Sequence, residues 1–143
     1  MAIFSKSSKD RLSTCHRDLQ RLFNHVILGY DCTVICGHRG KEEQNQAYAD
    51  GFSQLQNPKS KHNTLPSLAV DVVPWEVHHV DWGKTQSAHF AGYVKGLADE
   101  LYRIGSINHK IRCGVDWNMN NDVDDTKFWD GAHFEIVLND DEK

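Results

Sequence analysis

The 143-residue sequence has no excess of basic residues, no long apolar run and no apolar stretch at its N-terminus. Its net charge of -4 does not favour the phosphate contacts that dominate nucleic-acid binding, so nucleic acid is not the expected partner. Its apolar runs fall well short of the roughly 20 residues that span a bilayer, which argues against membrane insertion. The opening MAIFSKSSKDR does not resemble a secretory signal. We therefore expect a protein made in a cytosol without an export signal.

Cysteine is also scarce, with four residues in the whole chain. Cys15, Cys32, Cys36 and Cys113 lie within apolar segments, which is typical of buried, reduced thiols when no secretory signal is present. A metal site built on Cys32, Cys36 and His38 is disfavoured. In an extended strand the two sulfurs would lie about 13 Å apart, too far to share one ion.

The composition is that of an ordinary globular protein, with 39% hydrophobic and 25% charged residues. This length predicts a single domain over residues 1–143, and we expect a monomer. The pattern of apolar residues and turn signals predicts helices and strands along the whole chain. These elements are a helix over 8–28, a strand over 32–36, a helix over 42–50, a loop over 52–67, a strand over 68–73, a helix over 85–104 and short strands over 110–113 and 132–138.

This order predicts an α+β fold, in which helices pack on one face of a small, mostly antiparallel sheet. Pro74 is expected to end the strand that begins at Leu68. The buried face of the helix over 85–104 is predicted to consist of large apolar residues at helical spacing. These residues are Phe90, Tyr93, Leu97, Leu101 and Ile104.

The chain has nine histidines, and two of them lie near an acidic residue on a predicted strand. His62 precedes the strand that contains Asp71, and His133 opens the last strand. Two imidazoles and one carboxylate are typical of a catalytic zinc site, in which three protein ligands leave a fourth position for water. The residue types alone leave a second interpretation open, with a loop histidine and a strand aspartate paired to an arginine.

Three separated motifs give the sequence a family resemblance. Ser60-Lys61-His62, Ala69-Val70-Asp71 before Pro74, and Asp130-Gly131-Ala132-His133 occur in the order found in D-Ala-D-Ala carboxypeptidases and VanY-type zinc peptidases. Within that group, the sequence most resembles the L-alanyl-D-glutamate peptidase endolysins of bacteriophages. The likeness extends from about Cys32 to Val137 and implies a fold like that of the hedgehog domain and the D-Ala-D-Ala peptidases.

The resemblance implies a role for each matching residue. His62, Asp71 and His133 would bind one Zn²⁺ ion, and Asp130 would act as the general base. Arg39 would hold the substrate carbonyl or a substrate carboxylate. The step from His62 to Asp71 is nine residues, whereas seven is common in the family, because the segment between them includes Leu65-Pro66-Ser67.

Simpler interpretations exist for some of these residues. Asp130 before a glycine is also typical of a turn, and Arg39 could be a surface residue beside Glu42. Glu135 is expected on the same strand face as His133, where it would either bond a ligand histidine or lie exposed at an edge. Ser60 would steady a ligand or the substrate, or be an ordinary loop serine.

Two further segments carry weaker signals. Oxygen-bearing side chains alternate from Asp116 to Asp124 as in a calcium loop, but Lys127 occupies the position where such a loop has a bidentate glutamate. A solvated turn is the alternative. The His78-His79 pair, near Trp75 and Trp82, is a candidate for the wall of a substrate groove.

The function implied by the resemblance is hydrolysis of a peptide bond in peptidoglycan stem peptides, between L-Ala and D-Glu, by an endolysin. Such an enzyme is made in the host cytoplasm and acts on the cell wall after its release. One alternative is a D-Ala-D-Ala carboxypeptidase, which would normally need export. The other is a non-catalytic module that keeps the zinc fold to bind wall peptide, although such a module would not need Asp130.

Overall fold

The computed structural model describes residues 2–76, 79–80 and 83–143. Four α-helices lie in this part of the chain: α1 (Lys6–Leu12), α2 (Arg17–Gly29), α3 (Lys41–Ala49) and α4 (Lys84–Arg103). The described strands are β1 (Cys32–Cys36), β2 (Ala69–Glu76), β3 (His79–Val80), β4 (Lys110–Cys113) and β5 (His133–Val137). Two short 3₁₀ turns, Lys61–Asn63 and Asp140–Glu142, complete the set.

The main sheet has the strand order β1-β2-β5-β4, and all its neighbouring strands are antiparallel. The short strand β3 pairs with β2 outside this path. The predicted α+β class and antiparallel sheet are therefore confirmed. The register sets Asp71 of β2 opposite His133 of β5, which brings two predicted site residues together at the centre of the sheet.

Alternation along the strands separates the hydrophobic core from the site. Val70 and Val72 of β2, like Phe134 and Ile136 of β5, belong to the buried core, whereas the residues between them face the other way. The ring of Phe134 makes edge contacts with Phe23 of α2 and Phe90 of α4, with centroids 5.3 and 5.9 Å apart. Two helices thus cover one face of the sheet, and the side chains of Asp71, His133 and Glu135 project from the other.

The predicted helix over 8–28 is wrong in one respect, because the chain forms two helices there. Ser13 and Thr14 donate their hydroxyls to the carbonyls of Asp10 and Arg11, which competes with continued helical bonding. Cys15 then forms an isolated bridge with Ser67. His16 caps the second helix by accepting a hydrogen bond from the Asp18 backbone N–H.

The predicted buried face of α4 is also partly wrong. Tyr93 is 41% exposed and Ile104 is 58% exposed. The residues that face the core include the small Ala91 and Ala98, which periodicity of large side chains does not single out. Phe90, Ala91, Val94, Ala98 and Leu101 form this buried face.

Pro74 does not end β2, contrary to the prediction. The strand continues to Glu76, and Pro74 pairs with Cys32 of β1. Strand β5 pairs with β2 only up to Asp71, so Pro74 lies where one edge of β2 is free of that neighbour, a position that tolerates the missing N–H.

None of the helices in the described ranges is long and apolar enough to cross a membrane.

Candidate active site

The predicted site residues Asp71 and His133 lie side by side on neighbouring strands. Nδ1 of His133 is 3.3 Å from Oδ1 of Asp71. His133 is buried, and the side chain of Asp71 retains 14% exposure toward the cavity described below. The alternating pattern of the two strands therefore brings an imidazole and a carboxylate together on the face of the sheet opposite the core.

His62 reaches the same carboxylate from the 3₁₀ turn Lys61–Asn63. Its Nε2 lies 3.2 Å from Oδ1 of Asp71. Ser60 and Asn63 form a reciprocal capping box around this turn, and the backbone N–H of Arg39 donates to the His62 carbonyl at 2.7 Å. The nine-residue step does not separate the two residues, because the Leu68 N–H donates to the Lys61 carbonyl and closes the longer loop.

In each of the two histidines, the ring nitrogen that does not face Asp71, here called the outer nitrogen, is hydrogen-bonded to an acceptor. Nδ1 of His62 donates to the Gly37 carbonyl at 2.7 Å, and Nε2 of His133 donates to Glu135 at 2.8 Å. A ring with its proton held on the outer nitrogen directs a lone pair from the inner nitrogen. Two imidazole nitrogens and a carboxylate oxygen that converge in this way fit the donor set of Zn²⁺, with outer partners of the kind that orient ligand histidines.

The electrostatics of this group favour a bound cation. Burial opposes ionisation of Asp71, but hydrogen bonds from His133 and His62 hold its pKa well below the usual range. Burial opposes the charge on both histidines, but Asp71 together with Cys36 raises the pKa of His62 to about 10, and Asp71 together with Glu135 raises that of His133 to about 9 in the absence of a metal ion. The negative charge that favours these protons also favours a cation in their place.

Asp130 lies beside this group. Its Oδ2 is 4.0 Å from Nδ1 of His133, and the two residues form a ligand-capable cluster with Asp71. Burial, followed by the charge of Asp71, raises the pKa of Asp130 above its ordinary value. Gly114 leaves room for the backbone of Asp130, because a Cβ at position 114 would collide with the carbonyl oxygen of Asp130. The backbone N–H of Asp130 donates to the Gly114 carbonyl at 2.9 Å.

Arg39 also points at Asp71 and is not an ordinary surface residue. One guanidinium nitrogen, Nη2, lies 3.4 Å from Oδ2 of Asp71, and Nη1 donates to Oε1 of Gln44 at 3.0 Å. The side chain of Arg39 is only 17% exposed. It therefore adds a positive charge at the edge of the predicted metal site.

The two remaining predicted residues have defined partners. Glu135 is buried at 8% exposure and binds His133 through one oxygen, while its other oxygen lies 2.9 Å from Nζ of Lys61. These bonds and the charge of His133 outweigh burial and lower the pKa of Glu135 to about 2. Ser60 is buried, and its hydroxyl accepts the backbone N–H of His62 at 3.2 Å.

A cavity of about 620 Å³ opens onto the site. Trp117 and Phe128 form one wall, where their rings stack and Trp117 also lies 5.2 Å from the ring of His133. The segment from Phe52 to Leu55 lines another wall, and its apolar side chains are exposed. The lining also includes all seven predicted site residues: Arg39, Ser60, His62, Asp71, Asp130, His133 and Glu135.

Cys36, which the sequence predicts in the core, lies at the site instead. Its Sγ is 3.9 Å from Nδ1 of His62, and Cys36, His62 and Asp71 form a second ligand-capable group. A bulge between Val34 and Cys36 shifts the register, so that Cys36 pairs with Asp71. Because the bulge reverses the strand's alternation at this point, no periodicity in the sequence could have predicted the position. The thiols of Cys15, Cys32 and Cys113 are buried, as expected.

Gln44 and Lys61 are the other functional candidates that the sequence did not reveal. Lys61 precedes His62 in the predicted motif, yet only the fold shows that its ammonium group reaches Glu135 and the Ile136 carbonyl. Gln44 is completely buried and bonds Arg39. No spacing in the sequence indicates the partners of either residue.

The predicted calcium loop bonds mainly to itself. Asp116 accepts the backbone N–H groups of Asn120 and Asn121, and Asp125 accepts the side-chain amides of Asn118 and Asn120. Of the predicted groove pair His78-His79, His78 lies outside the described residues, as does the neighbouring Trp82, and the backbone of His79 in β3 pairs with that of Glu76.

Comparisons with known proteins identify relatives along nearly the full chain. Residues 1–137 match the family of phage L-alanyl-D-glutamate peptidases. The L-alanyl-D-glutamate peptidase of Escherichia phage T5 is 31% identical over 140 residues, which cover 94% of this chain and 97% of the relative. The crystal structure of the Serratia marcescens L-Ala D-Glu endopeptidase ChiX superposes with a TM-score of 0.73 at 25% identity, covering 99% of this chain and 95% of that one. The chain belongs to the phage L-alanyl-D-glutamate peptidase family, as its motifs predicted.

Proposed function

We propose that this protein is a zinc-dependent endopeptidase that hydrolyses the bond between L-Ala and D-Glu in peptidoglycan stem peptides. The observation that carries the proposal is the convergence of His62 Nε2 and His133 Nδ1 on Oδ1 of Asp71, at 3.2 and 3.3 Å. The activity named for the family and for both relatives supports the choice of substrate. The protein would act on the cell wall, after synthesis in the host cytoplasm and release.

His62, Asp71 and His133 would hold the metal ion. When bound, Zn²⁺ lowers the pKa of water toward 7 and polarises a carbonyl oxygen, which is the activation that amide hydrolysis requires. Glu135 and the Gly37 carbonyl would fix the two imidazole rings in the orientation that binding needs. Ser60 would hold the turn that presents His62.

Asp130 would serve as the general base. Its carboxylate lies next to the ligand group without a hydrogen bond to either histidine, so it remains available to a water molecule in the cavity. The raised pKa of this carboxyl strengthens it as a proton acceptor. Asp130 would take the proton of the attacking water and deliver it to the leaving amine of D-Glu.

Arg39 would stabilise negative charge on the substrate. Its guanidinium faces the cavity beside Asp71, where it can bond the scissile carbonyl as negative charge develops or fork onto a substrate carboxylate. D-Glu carries such a carboxylate next to the scissile nitrogen.

A calcium ion bound by the segment from Asp116 to Asp124 remains a separate prediction. An increase in the thermal stability of the protein on addition of calcium would support it.

The test is digestion of purified peptidoglycan with the zinc-loaded protein. We expect free amino groups to appear, and mass spectrometry to show stem peptides that begin with D-Glu. A chelator should abolish the reaction, and added zinc should restore it. Release of D-Ala alone would indicate a carboxypeptidase instead. Binding to peptidoglycan without new amino groups would indicate a non-catalytic module, and either result would overturn the proposal.

A further inference from the structure

Helix α3 is attached to the protein through a buried amide. Gln44 is the buried residue of this helix and has no solvent exposure, while the apolar Tyr48 is 44% exposed. A buried glutamine is costly unless its oxygen and nitrogen are both bonded, since an unsatisfied buried polar group destabilises the fold. Gln44 meets this demand completely, with two acceptor bonds and two donor bonds.

The oxygen of Gln44 faces the catalytic side. Oε1 accepts from Nη1 of Arg39 at 3.0 Å and from the side-chain amide of Asn63 at 3.2 Å. Asn63 caps the turn that presents His62, and it also donates to the Arg39 carbonyl at 3.0 Å. The guanidinium whose Nη2 lies 3.4 Å from Asp71 is thus also held by Gln44 through Nη1.

The nitrogen of Gln44 faces the rim of the cavity. Nε2 donates to the Leu55 carbonyl at 2.6 Å and to the Ser53 hydroxyl at 3.0 Å. Phe52, Ser53, Gln54 and Leu55 line the cavity, and Phe52 is 80% exposed. This rim segment has no helix or strand of its own, so its bonds to Gln44 help to set its position.

We propose that Gln44 is a positioning residue that couples Arg39 to the rim segment Phe52–Leu55. It would thereby align this wall of the cavity with the guanidinium group of Arg39. This inference rests on the proposed function, because it assigns Gln44 to the same reaction. An amide offers both donors and acceptors in fixed directions, which neither an ionised carboxylate nor a thioether does. The two ends of Gln44 can therefore be separated by substitution.

The first experiment compares two variants in steady-state kinetics on a soluble stem peptide linked to muramic acid. Gln44→Glu keeps an acceptor for Arg39 and Asn63 but cannot donate to the Leu55 carbonyl. We expect KM to rise about fivefold while kcat stays within about twofold. Gln44→Met removes both sets of bonds, so kcat should fall roughly tenfold in addition. Gln46→Glu, the same change at an exposed position of α3, is the matched control and should behave as the wild type.

The second experiment is a double-mutant cycle with Arg39→Ala. If Gln44 acts through Arg39, Gln44→Met should change kcat much less in the Arg39→Ala background than in the wild type. Equal losses in both backgrounds would mean that Gln44 only supports the fold and would overturn the proposal. Thermal unfolding identifies a variant that fails to fold. If Gln44→Met is such a variant, Gln44→Glu decides alone, and an unchanged KM refutes the coupling.

Different results would overturn the proposed function and the role of Gln44. A wild-type protein that releases no amino groups overturns the proposed function, and the role of Gln44 is overturned with it. A fully active wild type with Gln44 variants that match Gln46→Glu overturns only the role of Gln44.

Discussion

Glu135 accepts a hydrogen bond of 2.8 Å from Nε2 of His133, two residues earlier on the same strand. Both side chains project from the face of β5 that carries the site, and Lys61 holds the second oxygen of Glu135 at 2.9 Å. The carboxylate therefore fixes the ring of His133 with Nδ1 directed at Asp71.

Glu135→Gln is expected to weaken zinc binding without abolishing it. A glutamine can still accept the hydrogen bond through its oxygen. It lacks, however, the negative charge that favours a proton on Nε2 of His133 and that forms the ion pair with Lys61. We expect zinc affinity to fall roughly 10- to 100-fold. Competition with a chromogenic chelator measures it. Glu43→Gln, at an exposed position of α3, is the control, and equal affinities for both variants would contradict the role of Glu135.

Removal of a ligand should have a larger effect. His62→Ala and His133→Ala each leave only two of the three proposed ligands, so we expect the purified proteins to contain far less than one zinc per chain. Elemental analysis of dialysed protein gives this ratio. His25→Ala, which alters an exposed histidine of α2, should keep the wild-type zinc content. Full zinc content in either ligand variant would exclude that residue from the site.

Asp130→Asn should separate metal binding from catalysis. The amide fills nearly the same volume but cannot accept a proton from water at neutral pH. We expect kcat to fall about 10²- to 10⁴-fold, the usual contribution of a general base, while the zinc content stays unchanged. Release of amino groups and elemental analysis report the two quantities. Wild-type kcat would show that Asp130 has only the turn role.

Phe134 should be important for stability rather than activity. Its side chain is completely buried and packs on Phe23 and Phe90, so Phe134→Ala should lower the free energy of unfolding by about 3–5 kcal/mol. Phe52→Ala removes an exposed ring and should leave that free energy nearly unchanged. Urea denaturation of zinc-loaded protein measures both. Similar losses in the two variants would contradict the assigned core.

The sequence predicted those features that depend on regular alternation or on a local turn. The shared strand face of His133 and Glu135 follows from the period of a strand, and the motif resemblance indicated Arg39 and Asp130, which line the same cavity. The break between α1 and α2 could not be predicted from apolar spacing, because Cys15 keeps that spacing while Ser13 and Thr14 end the helix through their hydroxyls.

The sequence does not predict features that depend on contacts between distant segments, such as the positions of Cys36 and Gln44. Cys36 reaches the site only because a bulge shifts its register, and Gln44 acquires its partners from segments on either side of α3. No local pattern marks either event. The resemblance indicated the three proposed ligands, and Glu135 and Ser60 were candidates to hold them, whereas the contacts of Gln44 and Lys61 became visible only in three dimensions.

A second cluster of histidine and carboxylate groups lies away from the cavity. Its hydrogen bonds differ from those of the cluster formed by His62, Asp71 and His133. His16, Asp18 and His109 are close enough to share an ion, but Nδ1 of His16 already accepts the Asp18 backbone N–H. His109 donates Nδ1–H to Asp18 at 2.7 Å and Nε2–H to Glu142 at 2.8 Å. Both nitrogens of His109 face carboxylate oxygens, an arrangement that favours a charged ring linking α2 to the 3₁₀ turn Asp140–Glu142 over a metal ligand.

This link predicts a pH-dependent stability. Burial opposes the charge on His109, but the bonds to Asp18 and Glu142 outweigh it and raise the pKa of His109. A histidine whose pKa is raised by folding stabilises the folded state. This contribution is complete at pH values below the pKa of the unfolded chain, about 6.5, and it is lost as the pH rises through the pKa of the folded state. The pKa of Glu142 is lowered by its bond to His109, so its own contribution is lost only as the pH falls below the ordinary range of a glutamate.

Glu142→Gln should therefore reduce the stability of zinc-loaded protein most at about pH 5–6 and progressively less at higher pH, because the wild type loses its advantage as His109 loses its proton. Urea denaturation at a series of pH values up to 9 measures the difference between the two proteins. Glu100→Gln, which removes an exposed acid paired with Arg103, should show a difference that does not change over this range, because an arginine stays charged. A difference for Glu142→Gln that stays equally constant from pH 6 to 9 would mean that His109 is neutral in the folded protein.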